Sequence, residues 1–243
     1  MSPRVLGAVA LRVLAQLRHD HRTLAMLLLV PTLIVALIWW VFDGGPVFTR
    51  IGPALLAIIP FTVMFLVTSV TTLRERSSGT LERLLAMPMG RLDFLGGYAV
   101  AFALVAAVQS TVAVAVAVTL LDLEVAGPVW LLAVVAVADA VLGAALGLLV
   151  SAFATTEFQA VQFMPLVVIP QLLVCGLFVP RDQLPDVLSA VSDVLPLSYA
   201  VDAMGLLTTA DDPAAGAADL AVVLGYAAGG LALGAATLRR RTP

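Results

Sequence analysis

The chain has no lysine, one cysteine, two histidines and charged side chains at only 12% of its 243 positions. Without lysine it cannot build a Gly-x-x-x-x-Gly-Lys-Ser/Thr phosphate loop, so a Walker A nucleotide site on this polypeptide is excluded. A lone Cys175 excludes an intrachain disulfide and a cysteine metal site. His19 and His21 stand at i and i+2, positions that diverge on a helix, so no metal pair is expected of them. No Ser/His, paired-carboxylate or metal-ligand cluster falls in an apolar segment, which argues against an intramembrane enzyme. Net charge is −3 and the basic runs are short, so nothing suggests nucleic-acid binding. The scarcity of charge has the largest consequence. Soluble domains carry roughly 25% charged residues, whereas 61% of this chain is hydrophobic and its mean hydropathy is +1.07. Such a surface must face hydrocarbon, and a polytopic membrane protein is expected. Arg4, Arg12 and Arg18 are spread through the first twenty residues, so no removable signal peptide is expected there.

An apolar run of about 20 residues crosses a bilayer as a helix. Six such runs occur, at 24–42, 51–73, 94–121, 128–152, 158–179 and 220–238. An even number brings both termini to one side. Arginine favours short cytoplasmic loops; Arg4, Arg12, Arg18, Arg22, Arg74, Arg76, Arg83, Arg91, Arg239, Arg240 and Arg241 share one side, against Arg50 and Arg181 on the other. The termini and the segment between spans two and three are therefore expected in the cytoplasm. The outer side collects Asp43, Asp122, Glu124, Asp182, Asp186, Asp193, Asp211 and Asp212.

Residues 3–22 are amphipathic at helical period: Val5, Leu6, Val9, Ala10, Val13 and Leu17 share one side and the four arginines the other, with Leu11 the exception. The expectation is an interfacial helix with its apolar face in acyl chains and its arginines among membrane lipid headgroups. It serves either as a topology anchor or as a contact for a cytosolic partner. Residues 180–200 are too polar to span and too apolar for a free loop. Leu184, Val187, Leu188, Val191, Leu195 and Leu197 recur at helical spacing while Pro185 and Pro196 punctuate the ends, which predicts two short re-entrant helices at the outer side. The expected fold is one all-α transmembrane domain over 1–243: an interfacial helix, six transmembrane helices, a short helix between helices 2 and 3 and a re-entrant hairpin between helices 5 and 6.

The densest charge lies in Arg74-Glu75-Arg76-Ser77-Ser78-Gly79-Thr80-Leu81-Glu82-Arg83-Leu84-Leu85-Ala86-Met87-Pro88-Met89-Gly90-Arg91. Ser78 or Gly79 can cap a helix, Glu82 follows Gly79 in capping-box position, and Pro88 stops it, so 78–88 is predicted as a helix of about two turns. Leu81, Leu84 and Leu85 form a narrow apolar face, with Glu82 and Arg83 pointing elsewhere and Arg91 beyond the break. This helix can fill a groove on a cytosolic partner, with charges setting the register, or it can float at the headgroups.

That stretch, from Glu75 to Arg91, resembles the signature of ABC transporter permeases of the type-2 class. A second segment, Cys175-Gly176-Leu177-Phe178-Val179-Pro180 followed by Leu184-Pro185, Leu195-Pro196-Leu197-Ser198-Tyr199 and Asp202-Ala203, resembles the outer hairpin of the same class, especially daunorubicin/doxorubicin-exporter-like permeases. Cys175 departs from the more usual serine. The resemblance implies that 78–88 is a coupling helix, with Gly79, Thr80, Leu81, Glu82, Arg83, Leu84, Leu85, Pro88 and Arg91 engaging a separate ABC ATPase. ATP and magnesium would reside on that partner and no cofactor on this non-catalytic chain. It further implies two permeases, identical or paralogous, with two ATPases in a bacterial cytoplasmic membrane. Their cargo would be an amphipathic drug or antibiotic, or alternatively a lipid or polysaccharide precursor.

The same resemblance assigns spans two and five to the dimer interface and transport path, which makes Phe61, Thr62, Phe65, Thr68 and Ser69 candidates for the lining. Gln109, Asp139, Gln162 and Gln171 are polar residues within spans; each is a path candidate or a hydrogen-bonding group inside the bundle. An ionised carboxylate at mid-span costs roughly 2.5–3.5 kcal/mol on insertion scales, so Asp139 must face a partner or hold a proton. A titrating Asp139 would also serve a proton-coupled secondary transporter needing no ATPase, although the inverted repeats common in such folds are not evident.

Overall fold

The computed structural model describes residues 3–77, 91–212 and 214–237, except for the side chains of residues 91, 92 and 94. Regular structure among these residues is entirely helical: α1 (Pro3–His19), α2 (His21–Val41), α3 (Pro46–Ser77), α4 (Arg91–Thr119), α5 (Val129–Ser151), α6 (Glu157–Val174), a 3-10 turn (Arg181–Gln183), α7 (Asp186–Val194), α8 (Pro196–Thr209) and α9 (Ala217–Thr237). Six of these helices, α2, α3, α4, α5, α6 and α9, are long and apolar enough to cross a membrane.

Asp20 separates the first two helices. Its carboxylate accepts hydrogen bonds from the Thr23 backbone N–H at 3.1 Å and the Thr23 hydroxyl at 2.6 Å, which caps α2. Those bonds hold the Asp20 carboxyl below its ordinary range. The amphipathic segment therefore ends at His19, short of residue 22, and the next helix begins at His21. The apolar stripe of α1, Val9, Ala10, Val13 and Leu17, is buried by protein and not by acyl chains. Gly97 permits this closeness, since a Cβ there would stand 2.5 Å from that of Val9. Leu11, the misfit of the sequence pattern, is 68% exposed.

At 32 residues, α3 is roughly 48 Å long by helical rise and overshoots the expected span 51–73 at both ends. Arg74, Glu75 and Arg76 consequently lie on the helix and not in a loop. Its principal neighbour is α5, which runs in the same direction. A Cβ on Gly143 would lie 2.3 Å from the Phe61 carbonyl oxygen, and one on Gly147 would lie 2.5 Å from that of Phe65. Both contacts keep one offset between the helices, and the small-xxx-small spacing lets their backbones touch where apolar side chains would hold them apart. On another side of α5, Gly230 and Gly234 bring α9 against Ala145 and Leu149.

The fifth membrane helix is shorter than the predicted 158–179. It ends at Val174 because Cys175 caps it and Gly176 takes φ +95°, a left-handed conformation that a helix cannot continue through. The segment predicted at 180–200 contains a bent pair, α7 and α8, crossing at 92° about the Leu195–Pro196 break. Its second arm continues to Thr209 and buries Leu197, Ala200, Val201, Ala203, Met204 and Leu207, so α8 is part of the core as well as of the far-end surface.

Candidate functional site

The coupling residues Gly79, Thr80, Leu81, Glu82, Arg83, Leu84, Leu85 and Pro88 lie outside the described residues, and Arg91 opens α4 with its side chain undescribed. The stems on either side are described. Three consecutive residues at the end of α3 project about 100° apart and fasten three different helices. Arg74 grips Glu157 of α6 through two hydrogen bonds of 2.9 and 2.8 Å. Glu75 accepts from Arg12 at 3.4 Å and from Gln16 at 3.2 Å, both on α1. Arg76 donates to the Ser151 carbonyl at the end of α5, where a cation also complements the helix dipole.

Arg12 extends the linkage to the other stem. Its guanidinium donates to the Tyr98 hydroxyl at 2.8 Å and lies 5.9 Å from that ring's centroid. Tyr98 belongs to α4 and is fully buried. One arginine on the amphipathic helix thus bridges both stems of segment 78–90. The pairs differ in strength: Arg74 and Glu157 are well exposed, a setting in which ion pairs contribute about 0–1 kcal/mol, whereas Glu75 is only 11% exposed and more dependent on its partner. Sequence reading missed Arg12, Glu157 and Tyr98 as site residues. For Arg12 the signal was its place on the polar stripe; for Tyr98 there was none.

The span candidates do not gather around one cavity. Phe61, Phe65, Thr68 and Ser69 are buried within α3's own bundle. Thr62 and Ser69 satisfy their hydroxyls on α3 carbonyls, of Ile58 at 2.7 Å and Leu66 at 2.9 Å. Gln171 is spent on structure, donating to the Val167 carbonyl at 2.9 Å and accepting the Leu197 N–H at 3.3 Å, which ties the start of α8 to α6. Gln162 is exposed on α6. Asp139 is fully buried, and neither its carboxylate oxygens nor the Gln109 amide, the Thr68 hydroxyl or the Thr72 hydroxyl has a hydrogen-bond partner among the described residues. None of the candidates lines the cavities of about 660, 650 and 330 Å³.

The opposite end of the bundle is stitched by polar groups. Arg181 pairs with Asp193 of α7 at 2.6 Å and with Asp202 of α8, and its guanidinium lies 5.3 Å from the Tyr199 ring centroid. The Ser192 hydroxyl donates to the Val174 carbonyl at 2.9 Å, the Tyr199 hydroxyl to the Asp193 carbonyl at 2.6 Å, and the Tyr226 hydroxyl to the Val194 carbonyl at 2.7 Å. The hairpin is thereby anchored to α6 and α9 and covers that end.

A family model described as ABC-2 type transporter matches residues 4–206. A probable multidrug ABC transporter permease, YbhR, of Escherichia coli (strain K12) is 29% identical over 150 residues, covering 62% of this chain and 41% of that protein. ABC transporter G family member 20 of Dictyostelium discoideum is 28% identical over 154 residues, covering 63% of this chain and 21% of that protein. The chain thus matches less than half the length of either relative. Six membrane-length helices, a charged segment joining the second to the third, and a family match that takes in that segment and the first five of those helices lead to one assignment: the chain belongs to the ABC-2 type transporter family, as a transport permease component.

Proposed function

We propose that this permease is the membrane half of an ATP-driven exporter and that it receives mechanical work at segment 78–88 from a separate ABC ATPase. The observation that carries the reading is the triple fastening at the end of α3. A displacement of the adjoining segment pulls on α1, α5 and α6 together through Glu75, Arg76 and Arg74. Backbone contact at Gly143 and Gly147 lets α3 and α5 move as one body. Closure of the ATPases around ATP and magnesium would then tilt this unit and open the far end, which the hairpin covers at rest.

The functional assembly is two permeases with two ATPases in a bacterial cytoplasmic membrane, with both termini cytoplasmic as the arginine distribution favours. The cargo is an amphipathic drug, antibiotic or similar hydrophobic compound, a reading supported by the multidrug designation of the Escherichia coli relative. Co-purification with candidate ATPases and assay of compound-stimulated hydrolysis tests the proposal. Charge reversal by Glu82→Arg is expected to abolish the stimulation; unchanged stimulation would contradict it. A secondary transporter is disfavoured because Asp139 meets neither a partner among the described residues nor any of the three cavities.

A further inference from the structure

At the end of the bundle opposite segment 78–90, cavities of about 660 and 650 Å³ adjoin, sharing Arg50, Gly205 and Thr209 in their walls. Arg50 is an oddity of both sequence and structure. It stands near the start of α3, on the side that receives only two of thirteen arginines. It makes no ion pair or hydrogen bond among the described residues. The other arginine at this end, Arg181, is satisfied by Asp193 and Asp202. A cation at a membrane surface acidic enough to neutralise it, yet left unpaired, is in place for something else.

The larger cavity supplies the rest of the pattern. Asp182 and Asp219 also line it, beside the paired Arg181 and Asp202; neither Asp182 nor Asp219 makes an ion pair or side-chain hydrogen bond among the described residues, and Asp219 only feels the charge of Arg181. Once Arg181 is spent on Asp202 and Asp193, Arg50, Asp182 and Asp219 border one space without pairing. Between them the wall is apolar, with Ile51, Ala54, Leu177 and Leu206. A simple anion drawn to Arg50 would be repelled by the two carboxylates, and a simple cation drawn to them would be repelled by Arg50. A molecule carrying both signs satisfies each wall and completes the missing charge pairs.

We propose that this cavity binds the head of a zwitterionic amphiphile, its phosphate on Arg50, its primary amine toward Asp182 and Asp219, and its hydrocarbon chain along the apolar wall. The chemistry is that of an aminoalkyl phosphodiester lipid, present either as a resident of the surrounding leaflet or as cargo. Calling this leaflet the outer one rests on the function proposed above; the binding itself requires only a membrane interface.

The test is native mass spectrometry of the chain, purified with whatever subunits accompany it and offered equal amounts of phosphatidylethanolamine, phosphatidylglycerol and phosphatidylcholine. Preferential retention of phosphatidylethanolamine is expected. It should fall about tenfold in Arg50→Gln and in Asp219→Asn, the loss of one charged hydrogen bond, and persist in Arg50→Lys, which keeps the charge and guards against a folding artefact. Equal or stronger retention of phosphatidylglycerol, or unchanged retention in both neutral variants, would overturn the proposal. Stimulation of ATP hydrolysis by lysophosphatidylethanolamine, lost in Arg50→Gln, identifies the ligand as cargo; retention without stimulation identifies a resident lipid, and both support the site. Lipid retention in a preparation that never associates with an ATPase would defeat the exporter reading and leave the site standing.

Discussion

Arg12 lies 63 residues from Glu75 and 86 from Tyr98, yet its guanidinium reaches both. Removing it takes the cation from a mostly buried Glu75, which keeps Gln16, and a charged donor from the buried Tyr98 hydroxyl, and loss of a hydrogen bond to a charged group costs about 1.5–3 kcal/mol. Arg12→Ala is expected to lower the thermal midpoint in detergent by several degrees, while Arg18→Ala, at a residue of the same helix with no ion pair among the described residues, leaves it in place; equal effects would contradict the account. Asp139 presents the opposite case. Because its oxygens have no hydrogen-bond partner to lose among the described residues, Asp139→Asn is expected to keep ATP-driven efflux at the level of the unaltered protein, measured in vesicles. A loss of efflux there would restore the proton-coupled alternative. Glu75 and Arg76 were visible in the sequence as members of a dense charged run, but their partners were not, because helical periodicity places residues on a face without naming what crosses it.

The packing of α3 on α5 rests on two glycines with no room for a side chain. Gly143→Ala forces a Cβ against the Phe61 backbone, which cannot rotate away, and overpacking of this kind costs typically about 1–3 kcal/mol. The expected result is a lowered unfolding midpoint for Gly143→Ala and Gly147→Ala, against little change at Gly225, where nothing lies within 4 Å of the added carbon. Membrane-crossing elements were legible because apolar length alone identifies them. The unusual length of α3 was not, since its charged last turn reads as loop until Ser151, Glu157 and Arg12 supply partners. Nor was the role of α8: its leucines and alanines have helical spacing, but whether they meet lipid or protein depends on α3, α5 and α9 being beside them. The short α6 was partly legible, with Gly176 inside the predicted span and Pro180 directly after it.

For the whole molecule, the two ends of the bundle differ in how they are held. One is tied by ion pairs converging on the end of α3; the other is closed by the α7–α8 pair through Arg181, Ser192, Tyr199 and Tyr226. Loosening the closure without touching the α3–α5 pair is possible at Arg181. In Arg181→Ala, faster amide exchange is expected in α7 and early α8, with α3 and α5 unchanged; uniform acceleration would mean that the hairpin is not a separable cover. The central claim is that work enters at segment 78–88 from another polypeptide, and it is tested most directly by reconstituting the permease with its candidate ATPase in sealed vesicles. Compound efflux that requires both the ATPase and ATP, and that disappears in Glu82→Arg while the complex stays assembled, is the predicted result; efflux by the permease alone would contradict it.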